Sequence, residues 1–261
     1  RGDGPLAGRA RPTYAIEAGW PSGVRGGGPW RRVGGPVADG FAEVTHRRPV
    51  LSLSNVFSDD DVAEFLGRVR RFLNLGDDQV VDVVAEPKID GLSASLRYEN
   101  GRLVQGATRG DGMVGEDITA NLRTLDDIPH RLPKGAPDLF EIRGEVYMSH
   151  ASFAELNRRQ EAAGKPPYAN PRNAASGSLR QLDPAITAER KLGFYAYAWG
   201  EVASLPADTQ WDVLQAIAGW GFKVQAQTRQ CHGLDDMLAF YHEVEAGRAD
   251  FPYDIDGIVY K

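Results

Sequence analysis

A chain of 261 residues, 42% hydrophobic and 25% charged, has ordinary globular composition and enough length for one large domain or two small ones. Its net charge of −6 excludes a uniformly basic nucleic-acid coat, so contact with DNA or RNA needs a local positive patch on an acidic body. One cysteine, Cys231, excludes a disulfide framework and a cysteine-rich zinc site and fits a reducing, cytoplasmic compartment, while no apolar run approaches the ~20 residues of a membrane span.

Residues 1–35 are rich in Gly, Arg and Pro and lack apolar periodicity, so they read as a flexible lead-in to an ordered domain over 36–261. The texture changes at Pro49. Ser58-Asp59-Asp60-Asp61 marks a helix start, and Val62, Phe65, Leu66, Val69, Phe72 and Leu73 follow at helical spacing to an end near Gly76. Strands are expected at 80–85 and 92–98, a tight hairpin at Asn100-Gly101, and a third strand at 103–108. Further strands are expected at 139–147, 192–199, 222–227 and 254–260. Helices are expected at 116–123, 149–163 with Ser149 as N-cap, 172–182, 208–219 and 233–246. Strands and helices mix without a βαβ period, so the expected class is α+β, antiparallel sheets flanked by helices. The start at Arg1 rather than Met, and the stop at Lys261 inside a strand-like run, read as a piece cut at both ends.

Five stretches carry chemistry. In Glu86-Pro87-Lys88-Ile89-Asp90-Gly91, a lysine just past a buried strand could attack a phosphorus atom once deprotonated, and Gly91 would admit a phosphate close to the backbone. Taken alone, the short motif is better read as a surface lysine at a strand end before an Asp-Gly turn. Arg109-Gly110-Asp111-Gly112 places an arginine and two glycines where a bent backbone could face ribose or phosphate oxygens. In Glu141-Ile142-Arg143-Gly144-Glu145, alternation sets three charged residues on one strand face; for Glu141 the preferred reading is a solvent face laced with salt bridges. Asp254-Ile255-Asp256-Gly257-Ile258-Val259-Tyr260-Lys261 ends an apolar strand on a lysine suited to phosphate charge. The small-residue helix around Arg172 and Arg180, eight apart, suits a phosphate backbone. Trp199, Trp211 and Trp220 read as packing anchors, and Cys231 and the histidines carry no site.

The order Lys-x-Asp-Gly, Arg-Gly-Asp-Gly, Arg-Gly-Glu-Val, Asp-Gly-Ile-Val-x-Lys resembles the motif series of the covalent nucleotidyltransferases, with their ATP-grasp-like ligase fold. Leu51 to Phe57, Ala107 to Thr119 and Asn170 to Pro184 narrow the resemblance to bacterial NAD-dependent DNA ligase, in its adenylation domain, over roughly residues 28–261. The resemblance implies that Lys88 is the adenylated nucleophile, attacking the α-phosphate of NAD. It places Glu86, Ser52 and Leu53 at the adenine, Arg109 and Glu145 at the ribose, and Lys261 at the phosphate. Asp90 would orient Lys88 or assist a metal, and Arg172 and Arg180 would face nicked double-stranded DNA. NAD and Mg²⁺ are the implied cofactors, the latter held through phosphate and water rather than by cysteines, and the implied protein is a monomer. The helical segment that grips the nicotinamide half in this family has no match in residues 1–35, and the later motif lysine and downstream modules lie beyond Lys261. The alternatives are an adenylate-binding module without activity of its own, and an ATP-dependent ligase or capping-type guanylyltransferase.

Overall fold

The computed structural model describes residues 40–76 and 78–261, and the backbone of Ile16–Gly19. Among them lie eleven strands and seven α-helices, in three sheets. The largest sheet has the order β10 (Arg229–His232), β4 (Asp82–Ile89), β11 (Ile255–Tyr260), β1 (Ile16–Gly19), β3 (Ser54–Val56). A four-stranded antiparallel sheet has the order β6 (Arg102–Thr108), β5 (Leu92–Glu99), β8 (Leu139–Tyr147), β9 (Gly193–Val202). The two-stranded sheet pairs β2 (Glu43–Thr45) with β7 (Val114–Glu116). This is the α+β class expected.

Each large sheet has its own core. In the four-stranded sheet, Ala94, Leu96, Tyr98, Phe140, Ile142 and Val146 bury one face beneath α2 (Thr119–Leu122), α4 (Pro171–Leu179) and α6 (Gln210–Gly219). Trp199, Trp211 and Trp220 pack against this core, and Trp220 meets Phe140 edge-on at 4.9 Å, so the anchor reading of the tryptophans holds. In the five-stranded sheet, Val83, Ala85, Ile89, Ile255, Ile258 and Tyr260 pack with α1 (Asp59–Leu73) and α7 (Leu234–Ala246). The strand period of two sets Val83, Ala85 and Ile89 against that core and leaves Glu86 and Lys88 on the opposite face.

Local chemistry explains the helix ends. The Ser58 hydroxyl accepts from the Asp61 N–H, three aspartates follow at the positive end of α1, and Arg70 and Arg71 close its last turn. Asn74, at φ 59°, stops the helix before Gly76. Ser149 caps α3 (His150–Ala162), as the sequence indicates. No helix among the described residues is long and apolar enough to cross a membrane.

Several expectations change. Ile16–Gly19, inside the segment read as a lead-in, form a strand antiparallel to β11 and parallel to β3; backbone pairing supplies what side-chain pattern lacks. The rest of residues 1–35 lies outside the described residues. Residues 222–227 form no strand, and the pairing edge is taken by Arg229–His232. The helix expected at 116–123 divides into the end of β7 and the short α2, and that at 172–182 stops at Leu179, with α5 (Pro184–Ala188) following. Pro184 cannot continue a preceding helix but suits the first turn of the next.

Candidate active site

β4 does not end before the lysine. It runs on through Lys88 to Ile89, and Asp90-Gly91 carry the chain directly from the five-stranded sheet into β5 of the other. Gly91 is required for a reason different from the one expected. A Cβ there would lie 2.2 Å from the Val146 carbonyl oxygen, so β8, rather than a phosphate, occupies the space a side chain would need.

Lys88 Nζ donates to Asp256 Oδ2 at 2.9 Å. The pairing of β11 with β4 shifts register between Ile255 and Gly257, leaving Asp256 as the extra residue of a bulge. Bulges turn a side chain out of the regular alternation, and here the one turned out is Lys88's partner. The sequence motif assigns Asp256 no role; its signal is a carboxylate inside an apolar strand.

Asp90 accepts from Arg172 Nη1 at 2.7 Å, and its N–H donates to the Asp254 carbonyl at 2.9 Å. Burial and the neighbouring Asp256 carboxylate push the Asp90 carboxyl up, against the pull of Arg172 and Lys88. Glu145 joins the same group. Burial pushes its carboxyl up to about 8, opposed by the charges of Lys88 and Arg172. Among the described residues its carboxyl accepts no hydrogen bond. Lys88, Asp90, Glu145, Arg172 and Asp256 therefore form one electrostatic unit of two cations and three carboxylates.

Glu86 and Lys261 make a second unit. Val84 and Lys261 exchange backbone hydrogen bonds, which sets Glu86 diagonally across from the lysine. Lys261 Nζ reaches the Glu86 carboxylate, donates to the Tyr197 carbonyl at 2.7 Å and lies 4.9 Å over the Tyr197 ring. Burial pushes the Glu86 carboxyl up while Lys261 pulls it back. The Tyr197 hydroxyl shares a 2.6 Å hydrogen bond with Ser93 Oγ. Burial raises that phenol, and the charges of Glu145 and Glu86 add to the effect, so Tyr197 stands between the two units.

Arg109 turns to the loop before β3: Nε donates to the Val50 carbonyl at 3.0 Å and Nη2 to Ser52 Oγ at 2.8 Å. Ser52 is exposed and Leu53 half-buried. The two glycines expected to bend the backbone, Gly110 and Gly112, both have positive φ, at +56° and +97°. Glu141 departs from the solvent-face reading: it is 5% exposed and ion-paired to Arg143 at 2.9 Å. Arg172 and Arg180 do not act from one helical face. Arg180 is the C-cap of α4 and lies 3.8 Å from buried Glu116, while Arg172 is drawn to Asp90.

A site with this geometry has an amine held by carboxylates and, beside it, a buried lysine and an unpaired carboxyl. It suits attack on phosphorus with charge neutralisation nearby. No group of His, Cys, Asp and Glu among the described residues is arranged to chelate a metal ion.

Residues 38–261 match the family model of the NAD-dependent DNA ligase adenylation domain. The chain is similar to a DNA ligase of Parvibaculum lavamentivorans, 57% identical over 252 residues, covering 96% of this chain and 36% of the relative. It is also similar to a DNA ligase of Beijerinckia indica, 56% identical over 247 residues with 95% and 35% covered, and to one of Methylorubrum extorquens, 60% identical over 230 residues with 88% and 28% covered. The chain thus spans about a third of the length of the curated relatives it matches.

Proposed function

The chain belongs to the family of NAD-dependent DNA ligase adenylation domains, and on that premise we propose that Lys88 is the nucleophile that takes AMP from NAD. The observation that carries this reading is the Lys88 amine at 2.9 Å from Asp256, at the joint where β4 passes between the two sheets. The Lys88 ammonium gives up a proton, for which Asp256 is the adjacent acceptor; the lone pair of the neutral amine attacks the α-phosphorus, and a second proton leaves the nitrogen to solvent. A nitrogen–phosphorus bond forms, the pyrophosphate bond breaks, and nicotinamide mononucleotide leaves. In this reading Lys261 neutralises charge on the α-phosphate.

Glu86, Ser52 and Leu53 face the adenine in this reading, and Glu145 accepts from the ribose hydroxyls. Arg109 reaches the ribose through Nη1, since Nε and Nη2 already hold the loop. Mg²⁺, when bound, supplies further neutralisation of phosphate charge; with no chelating group among the described residues, it would be held by phosphate and water facing Asp90, Glu145 and Asp256. The fold name that accords with these positions is the covalent nucleotidyltransferase fold. In the whole protein the AMP would pass to the 5′-phosphate of nicked double-stranded DNA before sealing, in replication and repair, with Arg180 and Arg172 toward the DNA. We take the working unit as a cytoplasmic monomer.

The experiment is to incubate the chain with Mg²⁺ and labelled NAD, ATP or GTP in parallel. AMP-sized labelling from NAD supports the reading, and preferential labelling by either triphosphate overturns the choice of donor. Binding of AMP without any covalent gain would instead favour an adenylate-binding module.

A further inference from the structure

Glu141 and Arg143 are unused by the chemistry above, yet they share a face of β8 with Glu145. Their partners across the strand pair are Arg97 for Glu141, Ser95 for Arg143 and Ser93 for Glu145, so all three rise from the sheet face opposite the apolar core. Arg143 engages three different groups with its guanidinium. Nε donates to Glu141 Oε1 at 2.9 Å, Nη1 to the Pro49 carbonyl at 3.0 Å, and Nη2 to the Arg48 carbonyl at 2.6 Å.

The support beneath it is built in. The Glu141 side chain is 6% exposed and that of Arg143 is 12% exposed. The other Glu141 oxygen accepts the Glu201 N–H at 3.2 Å. A Cβ at residue 200 would lie 2.2 Å from Glu141 Oε1, so Gly200 leaves the room the carboxylate fills. A buried ion pair is a poor source of stability, because desolvation offsets its attraction. Its consequence here is geometric: it fixes the angle of a planar fork aimed at two successive carbonyls.

Those carbonyls belong to the loop that joins β2 to β3 and so links the small sheet to the five-stranded one. Apolar burial anchors the loop at Val50, 7% exposed, but leaves Leu51 77% exposed. Arginine side chains hold the backbone around it: Arg143 takes residues 48 and 49, and Arg109 takes 50 and 52. Backbone bonds from the His46 N–H to the Met113 carbonyl at 2.8 Å and from the Val50 N–H to the Gly112 carbonyl at 2.9 Å add to them. The charge of Arg143 pulls the Tyr197 phenol down, against the push of Glu145 and Glu86, so the clamp stands beside the reacting groups.

We infer that Arg143, fixed by Glu141, is a positioning residue that sets the 48–53 loop as the nucleotide-facing wall of the site. The inference rests on the proposed function, in which Ser52 and Leu53 face the adenine. Arg143 acts through backbone carbonyls and does not itself touch the nucleotide. Lysine would keep the charge but not the fork, because a single ammonium cannot match the planar donor pattern.

The test compares the parent chain with Arg143→Lys and Arg143→Ala in two measurements: hydrogen exchange over residues 47–53, and AMP transfer against NAD concentration. Exchange in the loop is expected to quicken about tenfold in both variants, with the β5 and β8 amides unchanged. The KM for NAD is expected to rise about tenfold in both, while the limiting rate stays within about threefold of the parent. If Arg143→Ala does not fold, Arg143→Lys carries the test alone. A lysine variant with parental KM and parental loop exchange would overturn the inference and assign Arg143 a charge role only. A parent chain that takes no AMP would sink the proposed function, and with it the nucleotide-facing role inferred for the loop. Active parent and variants with equal KM would sink the positioning role alone.

Discussion

Glu86 on β4 and Lys261 after β11 form an ion pair in which each side chain is only 7% exposed. Lysine and glutamate of this kind are rarely so buried unless paired, and removing one partner strands the other away from water. Lys261→Ala is expected to lower unfolding free energy by about 3 kcal/mol, and Glu86→Gln with Lys261→Met to recover much of that loss. Urea denaturation of the three proteins checks this. Equal stability of Lys261→Ala and the parent would mean that water already reaches the pair.

Gly91 is set against the β8 backbone, with the position of an added Cβ 2.2 Å from the Val146 carbonyl oxygen. Gly91→Ala must therefore push β5 away from β8 at the joint between the sheets. The expected cost is about 3 kcal/mol, the upper end for inserting one methyl into a packed site. If the glycine served only phosphate approach, the alanine variant would melt like the parent and lose nucleotide affinity alone.

Asp90 and Arg172 are bound at 2.7 Å with side chains 21% and 53% exposed, so solvent screens the pair. A double-mutant cycle of Asp90→Asn and Arg172→Ala is expected to give about 0.5–1 kcal/mol of coupling in stability. In AMP transfer the two should be strongly non-additive, since either change breaks the Asp90–Arg172 ion pair within the five-group unit. Additive effects on transfer would place Arg172 outside that unit.

Glu145 links the site to pH. Its carboxyl is pushed up to about 8 in the folded protein from an ordinary 4.5, so the folded state holds a proton that the unfolded chain has released. Stability from this group is then complete below about pH 4.5 and is lost as pH rises toward 8. Glu145→Gln removes the titration. The difference in unfolding free energy between variant and parent should therefore grow in the variant's favour from about pH 5 to about pH 9. A flat difference would show Glu145 already ionised at the acid end of that range.

Local pattern carried much of the fold. The Ser58 and Ser149 caps, the apolar spacing of α1 and the strands around Asn100-Gly101 are properties of adjacent residues, and the structure places elements there. Elements whose signals depend on partners were less legible. Ile16–Gly19 become a strand only because β11 and β3 supply an edge, and 222–227 form no strand because β4 pairs with 229–232 instead. The site divides in the same way. Lys88, Glu86, Asp90, Glu145 and Lys261 stand out by their motifs; the fold sets Lys88 and Asp90 with Glu145, and Glu86 with Lys261, while Tyr197 meets Lys261 and feels the charges of Glu86 and Glu145. Asp256 depends on a bulge, Arg143 on a loop 94 residues away in sequence, and the turn of Arg172 onto Asp90 on a contact between residues 82 apart. No spacing within one motif encodes those three.

The most direct test of Lys88 as nucleophile is to locate the AMP. After incubation with NAD and Mg²⁺, peptide mass spectrometry should find an acid-labile AMP adduct on the peptide containing Lys88, and Lys88→Ala should abolish it. An adduct on any other residue, or one that survives Lys88→Ala, would contradict it.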